Sequence, residues 1–264
     1  MKLEQALLSI VRKAGQIMTQ AQEIEAGGKV SEKGDAANLV TVYDVRVQEF
    51  LIQEIQAILP DAYFFAEEKE NDPKDLLSAY CFIIDPIDGT ANFVHDYRHS
   101  AVSVAMLSGG QPVFGAIYNP YQNEMFHAVK GGGAFLNDTP IHVSSRPMSH
   151  AIGAFGTSPY RKAECASGTF RLCEKIFTVC SDLRRCGTAS LDLAYVAAGR
   201  CDFFFEYRLF PWDFAAGLLL VTEAGGIVTD MKGAPLAFDQ ATGIIAAPCH
   251  LHTELYDMIK EFEE

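Results

Sequence analysis

Residues Asp85-Pro86-Ile87-Asp88-Gly89-Thr90 bring two carboxylates and a hydroxyl close together, directly after the apolar run Tyr80-Cys81-Phe82-Ile83-Ile84. That run reads as a buried strand. Pro86 cannot donate to a sheet ladder and Gly89 permits a tight turn, so the strand is expected to stop here and let Asp85 and Asp88 converge on one point. Converging carboxylates repel unless a cation sits between them, which makes this segment a candidate hard-metal site. Further oxygen ligands are then needed. Ala66-Glu67-Glu68 follows a second apolar run, Ala62-Tyr63-Phe64-Phe65, and Trp212-Asp213 begins a helix continuing Phe214-Ala215-Ala216-Gly217. Taken singly, each has an ordinary role: a strand-end Asp forms turns, a loop Glu pair is solvated, and an Asp at a helix start is an N-cap. Together they suggest one site. Two Mg²⁺ ions about 3.5–4 Å apart need a bridging carboxylate and more oxygens on each side, and such a pair clamps the entering and leaving oxygens of a phosphoryl displacement. Glu67, Asp85, Asp88 and Asp213 would supply that set, although spacing alone does not bring Asp213 to the others.

The elements that must position these groups fall into two stretches. Leu3, Leu7, Ile10, Ala14, Ile17, Met18 and Ala21 recur at helical spacing until Gly27-Gly28, and a second stripe through Val47, Phe50, Leu51, Ile55 and Ile58 is stopped by Pro60. Asp44 falls near the start of the second helix, after a polar loop holding Lys33. From about residue 62 to 145 the signal turns to short β-rich runs at 62–65, 80–84, 100–107, 112–118 and 124–129, with a hairpin turn at Ser108-Gly109-Gly110-Gln111. That sheet is expected to be partly antiparallel. From about 151 onward strands and helices alternate, with helices at 162–177, 189–198 and 213–224 and at the end of the chain, and strands at 151–156, 182–186, 202–206, 226–230 and 243–247. The expected organisation is an α+β half over 1–145 that carries the metal motif, and an α/β half over 146–264 that completes the metal and substrate site.

Composition limits the partners. The 264 residues carry 49% hydrophobic and 21% charged side chains, ordinary for a globular chain, and 21 Lys+Arg against 34 Asp+Glu leave a net charge of −13. That charge repels nucleic acid and anionic membranes, since the basic residues show no cluster beyond pairs such as Arg184-Arg185. Bound divalent cations would still let an acidic pocket accept a phosphate. The seven cysteines include no C-x-x-C pair and several lie in apolar runs, so reduced core thiols are expected. With no leader-like opening and no stretch of about 18 apolar residues, a cytoplasmic protein without a membrane partner is expected.

Asp85 to Phe93 and Trp212 to Gly217 resemble the two signature motifs of the inositol monophosphatase family, the Mg²⁺-dependent, lithium-sensitive phosphatases. The resemblance extends through Lys33, Leu39-Val40-Thr41, Asp44, Glu67-Glu68, Gly187-Thr188-Ala189, Glu206 and Thr222-Glu223-Ala224-Gly225-Gly226. It implies a layered αβαβα sandwich of the inositol monophosphatase and fructose bisphosphatase type. It implies that Glu67, Asp85 and the carbonyl of Ile87 hold one Mg²⁺ and that Asp85, Asp88 and Asp213 hold a second, with Lys33 near the substrate phosphate and a third, weaker metal position. Thr90, oriented by Asp44, would help deprotonate the attacking water, with Glu67 beside it. The amides of Gly89 and Thr90 would donate to phosphate oxygens. Glu206, Asp213 and the Gly187-Thr188-Ala189 turn would read the substrate's hydroxyls. A homodimer is the assembly the resemblance implies.

The segment Tyr207-Arg208-Leu209-Phe210-Pro211 departs from the inositol-selective pattern and offers Arg208 as a contact for a second phosphate. The expected activity is therefore hydrolysis of inositol monophosphate or a similar small polyol phosphate. Fructose 1,6-bisphosphate, histidinol phosphate or 3'-phosphoadenosine 5'-phosphate are alternative substrates, and a catalytically silent regulator is the alternative of a different class. Lys130-Gly131-Gly132-Gly133 lacks a phosphate-loop pattern and reads as a turn. His95 and His99 are expected to flank the site without binding Mg²⁺, Trp212 to wedge the helix that aims Asp213, and His250 and His252 to be exposed.

Overall fold

The computed structural model describes residues 2–24, 30–32 and 39–263. Lys33 lies outside them. The first amphipathic pattern forms helix α1 (Leu3–Ile24), and strands β1 (Val30–Glu32) and β2 (Leu39–Thr41) pair antiparallel ahead of helix α2 (Val42–Ile58). Thr41 caps α2, its hydroxyl accepting from the N–H groups of Tyr43 and Asp44. The Asp44 carboxylate accepts in return from the Thr41 N–H at 2.7 Å, so the residue singled out by sequence is fixed at the third helical position.

A seven-stranded sheet follows in simple chain order: β3 (Tyr63–Ala66), β4 (Cys81–Asp88), β5 (Ala101–Ser108), β6 (Gln111–Asn119), β7 (Glu124–Val129), β8 (Gly133–Leu136) and β9 (Thr139–Ile141), with the short helix α3 (Thr90–Val94) after β4. Only β3 and β4 run parallel within it. The sequence did not announce β8 and β9, which are short and carry little apolar pattern; pairing along β7 makes them strands. A second, five-stranded sheet has the order β11 (Asp182–Arg184), β10 (Ile152–Phe155), β12 (Phe203–Leu209), β14 (Thr242–Pro248) and β13 (Gly226–Asp230). Helices α4 (Lys162–Phe177), α5 (Ala189–Ala197), α6 (Pro211–Glu223) and α7 (Cys249–Glu263) alternate with these strands.

Strand alternation sorts the side chains into layers. On β4, Phe82 and Ile84 pack with Leu7, Val11, Leu51 and Ile55 of α1 and α2, whereas Cys81 and Ile83 face α5 and α6. On β12, Phe204 faces α5 and α6, while Phe203 and Phe205 pack with Leu172 and Ile176 of α4 and Leu251 and Leu255 of α7. The layer order is therefore αβαβα, with α5 and α6 between the sheets. Each such buried Phe contributes about 1.5–3 kcal/mol, which fixes α5 and α6 firmly and with them the residues at their first turns.

Several expectations require correction. β4 does not stop at Pro86 but runs to Asp88, its partners on β5 stepping from Ser103 opposite Asp85 to Ala101 opposite Asp88. Three steps on one strand against two on the other is a bulge, and a bulge accommodates a proline that has no N–H to give. Asp213 is not an N-cap, because α6 begins earlier, at Pro211, and places Asp213 at its third position. Of the cysteines, only Cys81, Cys173 and Cys201 are buried, and Cys249 is exposed. His252 is buried on α7 against Thr229, whose hydroxyl lies 2.9 Å from its Nε2; only His250 is exposed.

Candidate active site

The ends of β3 and β4, the first residues of α3, and the first turns of α5 and α6 meet around a cavity of about 150 Å³. It is lined by Glu67, Asp85, Ile87, Asp88, Gly89, Thr90, Gly187, Thr188, Ala189, Glu206 and Asp213. The candidate residues among the described ones are there except Arg208 and Asp44, the latter standing behind Thr90 and reached by its hydroxyl at 3.3 Å. A larger groove of about 600 Å³, with Leu76, Leu77, Leu219 and Phe238 in its walls, holds none of the candidate residues.

The carboxylates are anchored by backbone donors. Asp85 accepts from the Ile87 N–H across the bulge at 3.1 Å, Asp88 from the Ser190 N–H in the first turn of α5 at 2.6 Å, and Asp213 from the Phe210 N–H at 2.7 Å. Burial pushes the Asp85 carboxyl well above its ordinary range, and Glu67, Asp88, Asp213 and Asp44 push it in the same direction. Asp213 is raised by burial and then by Asp88 and Glu67. Asp88 is pushed up by burial to about 6, with hydrogen bonds from Ser190, Ala189 and Gly89 opposing. These all-oxygen donors are buried together and destabilise one another as anions, which is the electrostatic state that hard divalent cations relieve. The residues present thus fit Mg²⁺.

Thr90 Oγ1 lies 3.1 Å from the Ile87 carbonyl as well as facing Asp44. Burial raises Asp44 to about 6 against the hydrogen bonds from Thr41. Gly89 has φ +83 and its missing side chain is filled by a neighbour: a Cβ would stand 2.3 Å from Thr188 Oγ1. The glycine expected to admit a phosphate thus also admits the opposite wall of the cavity.

That wall is more elaborate than the sequence suggested. Glu206 lines the cavity, but its Oε1 accepts from both the N–H and the hydroxyl of Ser158, at 2.7 and 3.0 Å. Burial raises the Glu206 carboxyl to about 7. A Cβ on Gly156 would stand 1.7 Å from Glu206 Oε2, so a glycine there leaves the carboxylate its place. Thr188 uses its hydroxyl on the His99 carbonyl at 2.6 Å, which leaves backbone as the part of the turn able to meet a ligand. Arg208 does not line the cavity, and its buried Nε has no hydrogen-bond partner. Arg185 lines it instead, held by Thr157 at 2.9 Å. Its position immediately before Cys186-Gly187-Thr188 was the available signal. Ser158, Tyr160 and Asp192 were also missed, since no motif marks them. Trp212 stacks on Phe210 at 4.9 Å and tilts against Phe65 at 6.0 Å, the wedge expected at the start of α6.

The sequence pattern of the inositol monophosphatase family matches residues 2–264. The chain belongs to this family. A Nus factor SuhB of Salmonella typhimurium is 41% identical over 224 residues, covering 84% of this chain and 82% of that one. An inositol-1-monophosphatase of Rhizobium meliloti is 37% identical over 257 residues, covering 96% and 94%. The crystal structure of the extragenic suppressor protein suhB from Bartonella henselae superimposes with a TM-score of 0.90 at 37% identity, covering 98% of this chain and 99% of that one. The family's relatives thus carry both an enzymatic and a Nus-factor name. Among the described residues no helix is long and apolar enough to cross a membrane.

Proposed function

We propose that this protein is a Mg²⁺-dependent phosphomonoesterase acting on inositol monophosphate or a similar small polyol phosphate. One observation carries the reading: Glu67, Asp85, Asp88 and Asp213, drawn from the segment after β3, from β4 and from α6, line one buried cavity beside the Thr90–Asp44 hydrogen bond. Glu67, Asp85 and the Ile87 carbonyl would hold one ion, and Asp85, Asp88 and Asp213 a second. When bound, Mg²⁺ supplies Lewis-acid activation of water and neutralises the transferring phosphoryl group.

The chain's own residues then have separable tasks. Thr90 Oγ1 would orient the attacking water, and Asp44, ionised above about pH 6, would accept the proton relayed through that hydroxyl. Glu67 would add a second carboxylate next to this pair. The amides of Gly89 and Thr90 would donate to the phosphate oxygens. Glu206, the turn from Gly187 to Ala189, and Arg185 would receive the polyol, so that an analogue lacking its hydroxyls leaves buried polar atoms unpaired. Arg185 also replaces Arg208 as the cation for any second phosphate, the feature that would favour a bisphosphate. Lithium inhibition and a homodimer, with a mass in solution about twice 29.0 kDa, complete the reading.

The test is phosphate release by the purified chain with Mg²⁺ from inositol 1-phosphate, fructose 1,6-bisphosphate, histidinol phosphate and 3'-phosphoadenosine 5'-phosphate. Preference for the inositol ester is expected. A different preferred ester would revise the substrate, and no release from any of them would overturn the enzymatic reading. That last outcome would favour a regulatory role, the reading that the Nus-factor name of relatives supports.

A further inference from the structure

Apart from the four proposed Mg²⁺ carboxylates, His99, Cys186 and Asp192 come together from the segment before β5, the segment after β11 and α5. One ligand atom of each lies within 4.8 Å of the other two. Two of these groups lack partners: His99 Nε2 and Asp192 Oδ1 are both buried with no hydrogen bond, and Asp192 is only 1% exposed. A buried carboxylate oxygen and a buried ring nitrogen left without hydrogen bonds are each costly, so a group that satisfies both is called for. We propose that His99, Cys186 and Asp192 form a second metal site, for a thiophilic divalent ion of the Zn²⁺ class.

The donor chemistry separates this site from the acidic one. Imidazole, thiolate and carboxylate are a mixed N, S, O set that suits Zn²⁺ or Co²⁺ and is a poor match for Mg²⁺, which takes oxygen ligands. Three protein ligands leave a fourth position open. Around a tetrahedral ion with bonds of about 2.0–2.3 Å the ligand atoms stand roughly 3.3–3.6 Å apart, so side-chain rotations of about 1 Å close the cluster. Burial lowers the His99 pKa and keeps the ring in its neutral, ligating form. Burial pushes the Cys186 thiol up to about 11 and holds the Asp192 carboxyl well above its ordinary range, more than Arg185 offsets at either group or Arg184 at the thiol, so a bound cation would supply the missing countercharge. The Tyr195 ring meets His99 edge-on at 6.0 Å and limits its rotation. Asp192 also lines the cavity of the proposed active site, and Cys186 directly precedes Gly187, so an ion here would brace the turn from Gly187 to Ala189. The site itself does not depend on the phosphatase reading.

The full chain titrated with Co²⁺ at saturating Mg²⁺ tests the site. A thiolate-to-Co²⁺ charge-transfer band in the near ultraviolet is expected to saturate at one Co²⁺ per chain and to be bleached by one equivalent of Zn²⁺. Cys186→Ser should abolish the band, and Cys249→Ser, at the exposed thiol, should leave it intact. His99→Gln, which keeps the thiol, should raise the Co²⁺ concentration at half-saturation at least about tenfold, the scale of losing one ligand contact. No band in the unmodified chain, a band that survives Cys186→Ser, loss of the band in Cys249→Ser, or an unchanged titration of His99→Gln would each overturn the proposal.

Discussion

The two walls of the cavity are built on opposite principles. One wall, from the ends of β3 and β4 and the start of α3, is a run of carboxylates and a hydroxyl encoded largely within Asp85 to Thr90, and its charges oppose one another. The other, from the segments after β10 and β11, from β12 and from the first turn of α5, draws Gly156, Ser158, Arg185, Thr188 and Glu206 from separate stretches, and its side chains are already engaged: Ser158 by Glu206, Arg185 by Thr157 and Thr188 by the His99 carbonyl. Asp213 belongs by sequence to the second half and by charge to the first. On the proposed reading the contrast would mean that the acidic wall binds cations at the expense of metal-free stability, whereas the mixed wall is a preformed shape that would discriminate among ligands.

The largest effects should come from the acidic wall. Asp85→Asn and Asp213→Asn are each expected to lower Mg²⁺-dependent phosphate release at least about a hundredfold, since losing several kcal/mol of charge stabilisation has that scale. The same Asp85→Asn change should raise the melting temperature of the metal-free protein at pH 8, because an amide keeps the hydrogen bond from Ile87 and removes a charge that burial and four neighbouring carboxylates oppose. A variant that keeps near-normal turnover, or that melts earlier without metal, would erase the distinction between the walls. Thr90→Ala should reduce kcat about a hundredfold with little change in KM, in the range of a lost proton-transfer group. An unchanged kcat would remove Thr90 from proton transfer.

The mixed wall should give smaller and differently shaped losses. Arg185→Ala and Glu206→Gln are expected to raise KM about tenfold while kcat holds, with the penalty smaller for esters that lack the matching hydroxyls. Equal losses in kcat and KM for all substrates would mean that this wall is not a discriminator.

Acidity sharpens the same comparison. Turnover should fall as pH drops below about 6, where Asp44 protonates and can no longer take a proton from Thr90. Stability without metal should run the other way. Asp88 and Glu206 have folded pKa values raised to about 6 and about 7, so the folded state binds the extra protons; their stabilising contribution is complete below about pH 4 and is lost as pH rises through 6 and 7. Thermal unfolding in a chelator should therefore show a melting temperature that declines across that interval by a few degrees per kcal/mol lost. Added Mg²⁺ should recover it at pH 8 and have little effect at pH 5. A Mg²⁺ effect of equal size at both values would contradict the competition between protons and metal.

Much of the acidic wall was legible because its residues are near neighbours that follow buried strands. Asp85, Asp88 and Thr90 are fixed by one bulge and one left-handed glycine, features that a local stretch can encode. The helices were equally legible where an apolar stripe was long, as in α1 and α4. The mixed wall was not, because its members are unremarkable locally: Ser158 gains meaning only when Glu206 is folded onto it, and Arg185 outranks Arg208 only through the turn of the chain around the cavity. The bulge after Asp85, the early start of α6 at Pro211 and the burial of His252 likewise depend on partners distant in the chain.

The order of residues alone determined the chemistry: carboxylates and a hydroxyl set at the ends of apolar strands, in an acidic chain whose motifs resemble a metal-dependent phosphatase family. The tertiary structure decided which groups share a cavity, which are already engaged, and where buried polar atoms such as His99 Nε2 and Asp192 Oδ1 are left without a hydrogen bond. The physical reason is range. Turn geometry and strand or helix periodicity act over a few residues, whereas burial, countercharge and hydrogen-bond satisfaction are settled by whatever the packing of two sheets and the helices between them brings into contact.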